Sequence, residues 1–495
     1  MMRMATSIEK RLDLNLSEPE FVAKKFLQRC YKHENGMWTL CRLNSQWMFW
    51  KGGQYGLFPD EFFRANLRRW LTKQTLFMNG RGGQPSVTQC TIRAVDEVID
   101  ATIPYVIVEP GKTGFFWIDP SAATAEADDV VAFENGLLDV TTRRLFEHTP
   151  NWFTTAVLPY SYNRNARCPA WENWLKDISG NDVDWIDCLR LWFGYNMCAD
   201  TSKQRFAHFF GNPRSGKGTT TRVMTAILGQ WNCASPTLTQ LGNNQYVLAS
   251  LVGKLAAIVP DAVIGRNVDS KVVMETLSSV IGEDPVDINQ KYVPVASAVK
   301  LRVRFTLTSN EPLKWPDPTN KLSARCLLFP FKRSYAGKEN PEVERRIMSE
   351  LPGIANWALE GLRRIKQGEA LREPKAGKEK HELFSALDSP IKVFCSTCVT
   401  VTDNGESVPV EVVHALWNDW CRNEGRSTKG QTRTYVRSLI QNVFPEVTVK
   451  KRGSRGMQEP HYMGLLLTKE GQDVYNRNHR KRKGISDLGK SLGIV

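Results

Sequence analysis

The stretch "GNPRSGKGTT", Gly211 to Thr220, follows the apolar run "FAHFF" and precedes the helix-like "TRVMTAIL". Strand, glycine-rich loop and helix in that order make a phosphate cradle. Glycines let backbone N–H groups turn inward, and a helix N-terminus adds partial positive charge. The pattern G-x-x-x-x-G-K-[ST] is met by Gly211, Gly216 and Lys217, then broken by Gly218 where a hydroxyl belongs. Thr219 supplies that hydroxyl one residue late. A chance match in a chain this long has odds on the order of a few per cent, and the strand–loop–helix context lowers them. The candidate ATP-binding residues are therefore Gly211, Asn212, Pro213, Arg214, Ser215, Gly216, Lys217, Gly218 and Thr219. Lys217 is expected to bring charge to the β and γ phosphates and to pack against nothing.

Downstream segments extend the site. "GKLAAIVPDAVIG" (253–265) reads as an apolar strand ending in Asp261, placed to hold Mg²⁺ directly or through water. "RFTLTSNEPLKWPD" (304–317) is a further strand, ending in Asn310, which can orient an attacking water or sense the γ-phosphate. "KLSARCLLFPF" (321–331) sets Arg325 just before another strand, where it can reach an adjacent subunit's ATP as an arginine finger. The candidate catalytic set is Lys217, Asp261, Asn310 and Arg325, with Thr219 and Asp261 on Mg²⁺. Pro260 and Ala262 flank Asp261, so either Asp261 acts without a neighbouring glutamate or Glu283/Asp284 contributes from elsewhere.

The strands "RFAHFF", "KLAAIV", "RVRFTLTS" and "CLLFPF" alternate with amphipathic helices, the pattern of a largely parallel sheet. A GKGT ending also occurs in nucleoside monophosphate kinases. Those are short, begin with the P-loop and carry an arginine-rich lid, whereas 210 residues precede Gly211 here.

P-loop, Asp strand, Asn strand and Arg in this order resemble the superfamily 3 helicases, AAA+-type replicative helicases of viruses, phages and plasmids. The closer resemblance is to the phage/plasmid primase-helicase family, related to poxvirus-type replication helicases. It runs over roughly residues 130–470 through "FENGLLDVTT", "CPAWENWL", "WFGYNM", "IGEDPVDINQKY", "SNEPLKWPD", "LSAR" and "ELPGIANWALEGLRRI". The resemblance implies a hexameric ring that hydrolyses ATP at subunit interfaces with Mg²⁺ and pulls one DNA strand through its pore, 3′ to 5′. It also implies a DNA-gripping hairpin between Ile288 and Leu301, flanked by Lys291 and Lys300, with "VPVASA" (293–298) at its tip.

The expected fold is α/β: a P-loop AAA+-type ATPase core with a mostly parallel sheet. An α+β N-terminal region and a helical collar precede it, and a winged-helix domain follows. The boundaries are 1–130 N-terminal α+β, 131–200 collar, 201–367 ATPase, 368–388 linker, 389–475 winged helix and 476–495 basic tail. Within 389–475, three helices and a hairpin turning through "KKRGSRG" place Lys450, Lys451, Arg452 and Arg455 as DNA contacts.

Net charge is +14 and the pI about 9.2. From Ser389 onward 17 Lys/Arg stand against 10 Asp/Glu, a surplus of seven and half of the total. Such a balance favours a polyanion, so single- and double-stranded DNA are the expected partners. A second copy of the chain and a separate primase or polymerase complete the list. Residues 1–130 hold no carboxylate-paired strand with a downstream His, so no priming activity is expected of this chain. Trp38, Trp47, Trp50 and Trp70 are expected in a core, and "DVD" (182–184) at a helix start.

No run of about 18 apolar residues spans a membrane, and the N-terminus has no signal-peptide core. Eleven scattered cysteines suit a reducing cytoplasm, the host's if the chain is phage-encoded. Cys395 and Cys398 have metal-like spacing, with His414 and Cys421 the nearest further ligands, but their apolar helical run favours buried thiols. Besides the helicase, an ATP-switched origin- or operator-binding protein fits the same features.

Overall fold

The computed structural model describes residues 11–80, 83–109, 112–263, 268–290, 293–311, 313, 321–338, 340–380, 390–424, 428, 431–453 and 458–477. Two compact units divide the chain, residues 1–377 and 378–495.

A five-stranded sheet organises the first unit: β1 (Phe206–Gly211), β2 (Cys233–Ala234), β3 (Ala256–Val259), β4 (Arg304–Ser309) and β5 (Cys326–Phe331). They lie in the order β2-β3-β4-β1-β5, and every pair is parallel. All residues of β3, β4 and β5 are buried; β3 and β5 read as continuous apolar runs, whereas β4 alternates Phe305 and Leu307 with the buried polar residues Arg304, Thr306 and Thr308. The late strand β4 inserts between β1 and β3. The C-terminal ends of the P-loop strand, the Asn310 strand and the Asp261 strand therefore stand side by side, and open parallel sheets bind ligands at that edge.

Helices Pro169–Ser179 and Val183–Tyr195 lie ahead of β1. Asp182 caps the second, accepting from Trp185 N at 3.0 Å, so "DVD" is a helix start. The segment 341–367 forms two helices, Pro341–Met348 and Leu351–Lys366. Pro352, with no N–H and a ring that crowds the preceding turn, cannot continue the first. The break is used: the Glu350 carboxylate accepts from Ala170 N and Trp171 N, both at 3.1 Å, and caps helix Pro169–Ser179. Leu351–Lys366 crosses Val183–Tyr195 at two glycines. A Cβ on Gly194 would overlap Ala358 O and Leu362 N, and one on Gly361 would overlap Arg190 O.

Ahead of these helices the segment 130–146 forms an antiparallel meander of Val130–Phe133, Gly136–Asp139 and Leu145–Phe146. Further upstream, helices Pro19–Cys30, Asp60–Leu71 and Ile92–Val106 pack with short strands around an aromatic core. Trp47 and Trp70 are buried in it, Trp47 against Phe63 at 4.0 Å, while Trp38 and Trp50 are half-buried.

Strands Val286–Gln290 and Val293–Val299 form an antiparallel hairpin with irregular register. "VPVASA" is thus not the tip but the returning strand, as its β-branched valines favour. The connection is Lys291-Tyr292, outside the described residues.

In the second unit, helices Pro390–Cys398, Val410–Asn423 and Arg433–Val443 share a core containing Phe394, Trp417 and Trp420. Hairpin Thr448–Arg452/Glu459–Met463 is widened by Ser407–Pro409 into a three-stranded antiparallel sheet, so the expected two-stranded wing has a third member. Val399–Val401 pairs separately with Leu465–Leu467. Cys395, Cys398 and Cys421 are buried, and burial pushes the Cys395 and Cys398 thiols up to about 12 and about 11. His414 meets Gln431 O at 3.2 Å. No cluster of three metal-ligating side chains occurs among the described residues.

Candidate nucleotide-binding site

β1 ends in Gly211, whose φ of +151° and close approach to Phe331 O on β5 leave no space for a side chain. The loop passes through Arg214 at φ +57° and Gly216 at φ +97°, then enters helix Lys217–Leu228. Gly216, the helix N-cap, offers no side-chain acceptor, so the first-turn N–H groups keep their donors for a ligand. An uncapped helix start under a turned loop fits phosphate oxygens.

The expectation that Lys217 packs against nothing is corrected. Lys217 is 8% exposed, and its ammonium donates to Gly211 O (2.6 Å), Asn212 O (2.8 Å), Ser215 Oγ (3.3 Å) and Asn310 Oδ1 (3.3 Å). The four-methylene lysine side chain, starting from the first turn, folds back over its own loop and closes it. Burial holds its pKa below the ordinary lysine value, with the nearby Asp261 carboxylate opposing that shift. The ammonium is thus partly desolvated and ready for a stronger anion.

Asp261 follows β3 with a left-handed backbone (φ +42°), and its N–H donates to Thr308 Oγ1 at 3.1 Å, while Ala262 N donates to Thr308 O at 2.6 Å. Thr308 on β4 therefore turns the Asp261 carboxylate outward at the sheet edge, where it is exposed. Lys217, Asp261 and Asn310 meet at this edge, with Ser215 and Gly211 in the same network.

Thr219 is held differently. Its hydroxyl lies 3.3 Å from Glu344 Oε2 and 3.1 Å from Arg222 Nη2, and Arg222 binds Glu344 at 2.7 and 2.5 Å. The hydrogen bond from Arg222 draws the Glu344 pKa below the usual carboxylate range. Glu344 and Arg222 escaped the sequence reading because they sit 122 residues apart. So did Arg333, Ser334 and Tyr335 after β5. Ser334 Oγ donates to Pro213 O (3.1 Å), Tyr335 N donates to Arg214 O (2.9 Å), and Arg333 and Tyr335 both bind Asp177. This strap braces the loop from the side.

Arg325 lies elsewhere. Register pairs Phe206 with Cys326 and Gly211 with Phe331, so Arg325 stands at the N-terminal edge of the sheet. Roughly 16 Å of strand separates it from its own P-loop. It donates to Ser278 O and Gln204 Oε1, both at 3.2 Å. Glu283, bonded to Thr201, lies at that same edge, with Gln204 Nε2 on Gly282 O, so within one chain Glu283 is not beside Asp261.

Of the candidate DNA contacts, Lys300 is exposed just past the hairpin. Lys450 and Lys451 are exposed on Thr448–Arg452, and Arg452 donates to Ser407 Oγ at 2.9 Å. Lys291 and Arg455 lie outside the described residues.

Comparisons with known proteins follow the same geography. Residues 113–180 match the family described as D5 N terminal like, and residues 209–325 match a family of unknown function (DUF5906). The second match begins inside β1 and ends at Arg325. A curated relative, described as uncharacterized mitochondrial protein ymf21 of Marchantia polymorpha, is 25% identical over 124 residues, 23% of this chain and 69% of its own. Among solved structures, the A form apo structure of NrS-1 C terminal region aligns over 90% of this chain and 99% of that one, at 12% identity and TM-score 0.49. The apo structure of NrS-1 C terminal region aligns over 91% and 99%, at 14% identity and TM-score 0.49. A segment similar to the D5 N terminal like family, residues 113–180, thus precedes the five-stranded parallel sheet.

Proposed function

We propose that this chain is an ATP-dependent DNA helicase of superfamily 3 type, serving replication of a phage, plasmid or integrated element. In this reading it forms a hexameric AAA+ ring that draws one DNA strand through its pore, 3′ to 5′, with ATP hydrolysed between subunits. The observation that carries the reading is the meeting of Lys217, Asp261 and Asn310 at one edge of a single parallel sheet, with Arg325 at the other. The D5 N-terminal-like match over 113–180 supports a replication role.

Lys217 exchanges its carbonyl partners for phosphate oxygens, and the uncapped helix start adds backbone donors. Asn310, 3.3 Å from the Lys217 ammonium, is placed to orient a water against the terminal phosphate. Thr219 and Asp261 would hold Mg²⁺, which neutralises charge on the leaving phosphates. Glu344 and Arg222 must release the Thr219 hydroxyl for that, or Glu344 joins through water. Arg325 of one subunit serves the site of the next. The second unit acts as a winged helix on duplex DNA through Lys450, Lys451, Arg452 and Arg455, and a separate primase or polymerase works beside it in the cytoplasm.

ATP hydrolysis and strand displacement measured side by side, with and without single-stranded DNA, test this. DNA-stimulated hydrolysis with unwinding is expected. Stimulation without unwinding leaves an ATP-switched DNA-binding protein, and phosphoryl transfer to a nucleoside monophosphate leaves a kinase.

A further inference from the structure

The N-terminal edge of the sheet, opposite the P-loop, opens into a cavity of 180 Å³. Four parts of the first unit meet there: the turn at Asn44, the strap at Lys112–Phe115, the loop Val252–Lys254 ahead of β3, and the base of the hairpin at Ile288 and Val299–Arg302. Its floor is apolar, with Met48, Phe153, Ile288 and Leu301 all buried. Its rim is polar and basic.

Most rim cations are engaged. Arg302 faces Asp128 at 3.6 Å, Lys112 faces Glu109 at 3.5 Å, and Lys254 donates to Trp231 O at 2.5 Å. Lys300 has no ion-pair partner among the described residues, and the side-chain amides of Asn44 and Gln46 have no hydrogen bond there either. Asn44 and Ser45 hold φ of +47° and +64°, a tight two-residue turn that presents the Asn44 amide at the rim.

Size selects the occupant. About 150 Å³ accommodates a benzene ring, so this cavity takes one heterocyclic base and leaves a sugar-phosphate outside. Free amides can pair with a base edge, an apolar floor suits a base face, and Lys300 at the mouth suits the phosphate. We propose that this pocket binds one nucleotide of single-stranded DNA, base inside and phosphate on Lys300. The inference rests on the DNA-binding reading above and extends it. Because Ile288 and Val299 belong to the hairpin, a strand gripped by that hairpin would place a base here, on the face away from ATP.

The test uses the full chain and an oligo-dT of about 20 nucleotides carrying 4-thiothymidine, cross-linked by light and mapped by mass spectrometry. Cross-links on Met48, Phe115 or Phe153 are expected. Val252 is 45% exposed at the mouth, so Val252→Trp blocks the cavity without entering the core. It should weaken oligo-dT binding about fivefold or more, the lower end of what stacking one base contributes, with an unchanged melting temperature. Asn44→Ala with Gln46→Ala should lower cross-linking in the same way.

Competition by free thymidine monophosphate at comparable concentration would assign the pocket to mononucleotides and overturn the strand assignment. Oligo-dT binding that is unaffected by Val252→Trp, with cross-links elsewhere, overturns the pocket alone and leaves the helicase reading standing. No oligo-dT binding by the unaltered chain overturns both.

Discussion

The two edges of the sheet treat their cations in opposite ways. At the C-terminal edge Lys217 is buried under four oxygen acceptors and its loop is strapped by Ser334 and Tyr335. At the N-terminal edge Arg325 has two neutral acceptors, each at 3.2 Å, and no carboxylate among the described residues. A guanidinium on two carbonyl-type acceptors keeps its full positive charge, and each of these charge-assisted bonds contributes about 1.5–3 kcal/mol. On the proposed reading the first edge cradles phosphate and the second lends its positive charge to the site of a neighbouring chain.

Several substitutions probe this contrast. The largest effect is expected from Lys217→Ala, with ATP turnover falling by on the order of 10³-fold or more, as for loss of a preorganised charge. Because Lys217 also satisfies Gly211 and Asn212 carbonyls, Lys217→Gln separates the two roles. It should keep the melting temperature nearer that of the unaltered chain and still hydrolyse no ATP. Turnover near the original level in either variant would remove the nucleotide site.

Gly194→Ala bears on the helices ahead of the sheet rather than on the chemistry. A methyl there meets the backbone of helix Leu351–Lys366 at Ala358 O and Leu362 N, so it should destabilise by about 3 kcal/mol, read as a lowered denaturant midpoint. Gly218→Ala is the counterpart: its Cβ meets only the far end of the Arg222 side chain, Nη1 at 3.1 Å, so stability should stay within about 0.5 kcal/mol. A smaller change is expected in the second unit. Lys450→Ala with Lys451→Ala should flatten the salt dependence of duplex binding by about two units of slope. An unchanged slope would move the contact elsewhere.

The smallest effect is protonic. Burial depresses the Lys217 pKa in the free protein, and a bound triphosphate raises it. Between those two values binding takes up a proton. Calorimetry in buffers of different ionisation enthalpy should therefore show fractional uptake at alkaline pH and none near neutrality, where both forms are charged. Uptake that is flat with pH would mean the ammonium does not face the phosphates.

How much of this was legible in the sequence depended on distance along the chain. β1, β3 and β5 were readable as mostly apolar runs, as parallel strands buried on both faces are, and β4 by the alternation of Phe305 and Leu307 with Arg304, Thr306 and Thr308. β2, two residues long, has no such signal. The glycines of the loop announced the cradle, but not the burial of Lys217, which follows from the lysine folding back onto carbonyls of its own loop. Glu344 and Arg222 became partners only through folding. The hairpin tip was misplaced because "VPVASA" was assigned to it through the resemblance, while its alternating valines carry strand propensity. The break before Pro352 is put to use by Glu350, whose capping role depends on a helix about 180 residues earlier and so has no local signal.

Mixing two inactive variants tests the division between edges most directly. Arg325→Ala keeps its cradle and loses the spare charge, whereas Lys217→Ala keeps the charge and loses the cradle. In a mixed assembly some interfaces join an intact Lys217 cradle to an intact Arg325. A finger of this kind is worth about 10³-fold or more in rate, so even a minority of repaired interfaces should raise ATP hydrolysis above either variant alone. Sizing of the mixture establishes that subunits exchange. Recovered hydrolysis is the expected result, and no recovery among freely exchanging subunits would contradict a site shared between chains.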